Sequence, residues 1–175
     1  IYDEMNRVIA ALHNVNPAAI GLANYGKPGN YFERQIARWT RQYQASITQP
    51  IEAMDRLIEW LPAHVPDSAR DESQVSVVHG DYRLDNLVFH PTEPRVVAVL
   101  DWELSTLGHP LADFSYHCMS WRIPPGSFRG LGGVDAVDQR VDVRGGAGSD
   151  CLVGGVAGMI GFSVKNKVDL WRLGD

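Results

Sequence analysis

His79-Gly80-Asp81-Tyr82-Arg83-Leu84-Asp85-Asn86 and the later Leu100-Asp101-Trp102-Glu103 are the stretches on which the fold turns. Val75-Ser76-Val77-Val78 runs into the first stretch as a short strand, and Leu87-Val88-Phe89 leaves it as a second. His90-Pro91-Thr92-Glu93-Pro94 is a turn holding two prolines. Val96-Val97-Ala98-Val99-Leu100 then forms a third strand that ends at Asp101. The expected strands are therefore 75–79, 86–90 and 95–100, the last two paired as a β-hairpin. Asn86 opens that hairpin and Asp101 closes it, so antiparallel pairing sets them side by side. Asp81 lies five residues before Asn86, on the loop that feeds the hairpin. Three oxygen-bearing side chains converge.

Hard oxygen donors of this kind suit Mg2+, which keeps several of its waters. They also match what phosphoryl transfer requires. A hydroxyl acceptor needs a base that aligns it, and a metal on nucleotide phosphates needs a carboxylate with a neutral oxygen donor. Asp81 fits the first role, and Asn86 with Asp101 fits the second. Gly80 allows a tight turn between strand and loop. His79 is placed to brace that loop.

Outward from this centre the pattern is helical. Met5, Val8, Ile9 and Leu12 recur at helical spacing over residues 2 to about 14, and Asn16-Pro17 stops the run. Residues 21–30, with Gly26, Pro28 and Gly29, read as loop. Phe32, Ile36, Trp39, Tyr43 and Ile47 share one face of a helix from about Tyr31 to Thr48, and Arg34, Arg38 and Arg41 occupy its polar side. Pro50 opens a third helix over 50–61, carrying Met54, Leu57, Ile58 and Leu61, before a polar linker from Asp67 to Gln74. A further helix is expected from Leu111 to Trp121, entered through Gly108-His109-Pro110. Helices, a small hairpin, then more helix make an α+β chain.

Composition narrows the function classes. A formal charge of -5 leaves no basic stripe for nucleic acid, and no apolar run is long enough to span a membrane. With 45% apolar residues in 175, one domain of ordinary core size is expected. Cys118 and Cys151 make no disulfide framework, which suits a reducing, cytoplasmic setting. Ile1-Tyr2-Asp3-Glu4 opens straight into a helix pattern, as a chain cut from something longer would. Past Pro124-Pro125 the composition shifts, with twelve of the 17 glycines lying between Gly126 and Asp175. Residues 129–175 are expected to form an irregular tail, because glycine loses much backbone entropy on ordering and buries little.

His-Gly-Asp-x-x-x-x-Asn followed by a strand-end aspartate resembles the aminoglycoside phosphotransferase and choline kinase superfamily, where His-Gly-Asp stands for the His-Arg-Asp of protein kinases. The longer matches, Asn30-Tyr31-Phe32-Glu33-Arg34-Gln35-Ile36 with Trp39, HGDYRLDNLVFHP and LDWELSTLGHPLADFSY, are similar to kinase-like domains fused to acyl-CoA dehydrogenases. The resemblance implies a protein-kinase-like C-terminal lobe over residues 1–128, mostly helical around a catalytic β-hairpin, with the N-terminal ATP lobe absent. It implies a catalytic site of Asp81, the base, with His79. Asn86 and Asp101 would bind nucleotide through Mg2+, joined in the metal shell by Glu103. Gly80 and Asp113 would give structural support, Asp113 by anchoring the catalytic loop from the following helix. On the residues alone Asp113 reads equally as a helix N-terminal carboxylate favoured by the macrodipole. ATP and Mg2+ are the implied cofactors, and a small hydroxylated molecule, a hydroxyacyl compound in the dehydrogenase-linked subgroup, is the implied acceptor. The implied partners are a nucleotide and either a missing N-terminal lobe or a fused dehydrogenase domain.

Two other readings stay open at this level. One is a metal-dependent phosphoesterase built on His79, Asp81, Asp101 and His109 around a metal pair. The other is a catalytically silent fragment or regulatory module.

Overall fold

The computed structural model describes residues 1–27, 29–71, 73–121 and 123. The glycine-rich tail expected at 129–175 lies outside the described residues. Within them the chain runs α1 (Tyr2–His13), α2 (Tyr31–Ser46), α3 (Glu52–Trp60), β1 (Ser76–Val78), β2 (Leu87–Phe89), β3 (Val96–Val99), β4 (Thr106–Gly108) and α4 (Leu111–Cys118), with short 3-10 turns between.

The hairpin forms as expected, with Leu87 opposite Val99 and Val88 opposite Ala98, then an irregularity that brings Phe89 opposite Val96. Its two faces differ. Leu87 joins buried Met5, Ile9 and Tyr82 in one core, with Phe89, Val96 and Val99 packed against it. Val88 and Val97 point the other way and are exposed. That alternation follows from the period of two along a strand. It seats the hairpin on α1, and the main-chain N–H of Val96 donates to Glu4 of that helix at 3.1 Å.

The second core belongs to the helices. Phe32, Ile36, Tyr43, Met54, Leu61, Val65 and Ala69 are buried together, with Trp39, Leu57 and Ile58 packed against them. Leu111 and Ala112, at the start of α4, lie against the same cluster. The next residue, Asp113, reaches the loop that opens at His79.

One strand was not expected. Thr106-Leu107-Gly108 pairs antiparallel with β1, Ser76 opposite Gly108 and Val78 opposite Thr106. In sequence Gly108 reads as the approach to a helix, because three residues carry too little alternation to mark a strand. The described residues therefore hold two separate two-stranded sheets. Gly108 is where Tyr31 crosses, since a Cβ added there would come within 2.5 Å of the Tyr31 ring.

Tyr82 ties the loop between the sheets to α1. It is fully buried, and its hydroxyl donates to the main-chain carbonyl of Met5 at 2.8 Å. Burial first, then the nearby Asp113 carboxylate, pushes its phenol well above the ordinary value, so the donor proton stays in place. Replacing Tyr82 with Phe removes this bond without opening a cavity. The expected loss is about 1 kcal/mol of unfolding free energy, measured by denaturant titration.

Candidate active site

Each end of the 79–86 loop is fixed by a different device. At its start the buried Asp113 carboxylate accepts the main-chain N–H of His79 through Oδ2 at 2.6 Å and that of Gly80 through Oδ1 at 2.7 Å. The carboxylate is 1% exposed, so it needs donors in place of water. His13, the last residue of α1, supplies a third with its Nε2 3.1 Å from Oδ2. Gly80 takes φ 84° here, and a Cβ would sit 2.7 Å from the carbonyl oxygen of Leu104. Only glycine has both the conformation and the size.

His79 braces the loop from within. Its Nδ1 accepts the main-chain N–H of Asp81 at 3.2 Å, so the proton sits on Nε2, which donates to the carbonyl of Leu100 at 2.8 Å. Both ring nitrogens are thus committed to main chain. Trp102 flanks the ring, with centroids 4.8 Å apart.

Leu100 is held on its other side as well, since its N–H donates to the carbonyl of Asn86 at 2.8 Å. This bond continues the hairpin register one step and puts Asn86 directly beside the residue before Asp101. Asp101 itself adopts φ 63° and ψ 60°, a left-handed conformation uncommon outside glycine, and is exposed. Strain of this sort costs on the order of 1–3 kcal/mol and persists where the surroundings over-determine it. Here the bonds on both faces of Leu100 do so.

Asn86 is buried and aims its amide at Asp81. Nδ2 donates to the Asp81 carbonyl at 2.8 Å and lies 3.3 Å from its Oδ2. Its oxygen is then the acceptor that remains available. Asp81, 6% exposed, also faces the Arg83 guanidinium, whose Nη2 is 3.4 Å from Oδ2. Tyr116 approaches both from α4. Burial, then the Asp81 charge, holds its phenol well above the ordinary range, so it stays protonated beside the carboxylate.

The structure brings Asp81, Asn86 and the Asp101 backbone into one loop-and-hairpin junction, with His79, Gly80 and Asp113 beneath it. Glu103 is exposed in the turn just after Asp101. Arg83 lies within the loop that the motif marks. Tyr116 was missed, although it stands one turn beyond Asp113 on the same helix and so shares its face. His13 was missed too, and no local signal marks it, because its partner is 100 residues away.

The two-metal arrangement on His79 and His109 does not form. His109 accepts the N–H of Leu111 at Nδ1, turns Nε2 to the carbonyl of Ser68 at 3.2 Å, and packs by Phe32 in the helical core. Both histidines have spent their ring nitrogens on main chain. Among the described residues no three of His, Cys, Asp or Glu form a metal-binding group. No helix among them is long and apolar enough to cross a membrane.

Comparison with known proteins places the chain in a family. The sequence model of the phosphotransferase enzyme family matches residues 1–142. Mouse acyl-CoA dehydrogenase family member 10 is 51% identical over 124 residues, which is 71% of this chain and 11% of that protein. A crystal structure from Ralstonia eutropha, described as a candidate aminoglycoside phosphotransferase, is 61% identical with a TM-score of 0.75, covering 90% of this chain and 46% of its own. Macrolide 2'-phosphotransferase type I shares the fold at a TM-score of 0.58 and 19% identity, over 90% of this chain and 50% of its own. The chain thus spans half or less of the length of each of these proteins.

Gly80→Ala tests the close approach at the loop's start. Both φ and the Leu104 carbonyl oppose a methyl group, so a loss of about 2–3 kcal/mol is expected in denaturant unfolding.

Proposed function

We propose that this chain, which belongs to the phosphotransferase enzyme family, carries the catalytic part of a small-molecule kinase that moves the terminal phosphate of ATP to a hydroxyl group. The observation that carries the reading is the pairing of Asn86 with Leu100. It sets a neutral oxygen donor beside a carboxylate at a hairpin end, a few residues from the buried Asp81.

In this reading Asp81 is the base. Its Oδ2 is oriented by Asn86 and Arg83, and a hydroxyl placed against it would be aligned for attack and would give up its proton to the carboxylate. Asn86 through Oδ1 and Asp101 through its carboxylate are the residues that would hold Mg2+, with Glu103 in support. The donor set fits that ion, since both groups offer hard oxygens and the Asn86 nitrogen is already spent on Asp81. When bound, the ion neutralises charge on the nucleotide phosphates. His79 holds the main chain that carries these groups and takes no proton from substrate in this scheme.

The lobe assignment belongs to the same proposal. The described helices and hairpin correspond to the C-terminal lobe, and the nucleotide-gripping lobe lies in the part of the relatives that this chain does not span. The acceptor is a small hydroxylated compound, and the similarity to an acyl-CoA dehydrogenase family member favours a hydroxyacyl one.

Phosphate transfer from ATP, assayed on the longest natural form of the protein against a panel of small alcohols and hydroxyacyl compounds, is the direct test. Asp81→Asn is expected to lower kcat by about 10²–10⁴-fold with nucleotide binding retained. Full activity in that variant would remove Asp81 from the base role. Asp101→Ala is expected to act differently, weakening Mg-ATP binding about tenfold or more in calorimetric titration and leaving Mg-free nucleotide binding unchanged. Equal loss with and without Mg2+ would place Asp101 outside the metal shell.

A further inference from the structure

Asp113 carries the loop, yet three donors share one buried carboxylate and two of them are main-chain groups of the loop itself. His13 is the only side-chain donor to it among the described residues. Its imidazole is largely buried, with the side chain 12% exposed, and its Nε2 meets the same oxygen that accepts the N–H of His79. That oxygen has two lone pairs in the carboxyl plane, so a donor on one fixes the rotation of the group about its last torsion. The direction in which Asp113 presents its oxygens to His79 and Gly80 is therefore set from α1.

The same helix reaches the loop a second time, through the Tyr82 hydroxyl on the Met5 carbonyl. The two contacts stand about two turns apart on α1, and they hold both the start of the loop and its middle. The end residue His13 is also well placed for donation, because the helix C-terminus favours positive charge or a donor proton.

We propose that His13 is a positioning residue for the catalytic loop: its Nε2–H orients the Asp113 carboxylate so that both of its oxygens clamp the amides of His79 and Gly80. It touches neither acceptor nor nucleotide. Its meaning for catalysis rests on the kinase reading, whereas the clamp itself does not.

Amide hydrogen–deuterium exchange on the 175-residue chain, without nucleotide or acceptor, separates the two. In His13→Ala the His79 and Gly80 amides are expected to exchange about tenfold faster, with α2, α3 and the β2–β3 hairpin unchanged. His13→Gln, whose amide nitrogen falls near the position of Nε2, is expected to restore protection. Asp113→Asn should deprotect the same two amides, and adding His13→Ala to it should produce little further change. Wild-type exchange of both amides in His13→Ala overturns the proposal. So does a folded His13→Gln chain that leaves those amides as exposed as the alanine variant does. If His13→Ala fails to fold, His13→Gln decides alone, supporting the clamp by wild-type protection and overturning it by local exposure. Failure of Asp81→Asn to affect phosphate transfer would leave these exchange results standing, so the two ideas fail separately.

Discussion

A carboxylate with 1% exposure is a costly thing to bury, and the 79–86 loop keeps its shape because Asp113 is buried with its donors already chosen. The two amide groups it binds belong to consecutive residues, His79 and Gly80. For both N–H groups to point at one carboxylate the chain must turn sharply between them, and φ 84° at Gly80 is that turn. The glycine is thus required by the carboxylate, and the carboxylate is made tolerable by the glycine. Neither could be replaced without disturbing the other. Charge-assisted bonds of this kind are roughly twice as strong as neutral ones, which suits a loop that must keep one shape.

From that fixed start, order passes along the chain through main-chain bonds. His79 hands it to Leu100 through Nε2, and Asn86 meets Leu100 from the other side. A single residue between two polar groups thereby locks the hairpin end to the loop start. The left-handed Asp101 follows immediately. Its conformation is unfavourable in isolation, and an aspartate tolerates it better than most residues. Pinning Leu100 at both N–H and C=O leaves the next residue few alternatives, so the strain is carried by the neighbours.

Much of this was legible in the sequence. The first three helices showed themselves by spacing of Met5, Ile9, Phe32, Ile36, Tyr43 and Met54, all of which are buried. The β2–β3 hairpin was legible because alternation and a two-proline turn agree on it. Two things were not legible, for different reasons. Thr106–Gly108 is too short to show a period, and its identity as a strand comes from β1, some thirty residues earlier. His13 and Tyr116 act through contacts that only the assembled helices create. On the residues alone, Asp113 read equally well as a helix N-terminal charge, and nothing local could separate that from the clamp. His109 was weighed as a metal ligand because histidine beside a proline-led helix start is ambiguous in sequence; its neighbours Ser68 and Phe32 settle it as part of the helical core.

The site is also defined by which polar groups the fold leaves uncommitted. His79, Asp113 and the Asn86 nitrogen are all spent inside the protein, on main chain or on one another. Beyond the Arg83 guanidinium and the Tyr116 phenol, what the junction retains is acceptor capacity: one oxygen of Asn86, the exposed carboxylate of Asp101, and an Asp81 carboxylate steadied by the Asn86 amide and the Arg83 guanidinium. Among the described residues the donors such a set offers an anion are few, those of Arg83 and Tyr116. Bare phosphates would be repelled by two carboxylates, and a cation must come with them. Under the proposed phosphotransfer, the excess of acceptors is a physical reason for a nucleotide to arrive as its magnesium complex, and it derives from how the fold spends its donors rather than from which residues the loop contains.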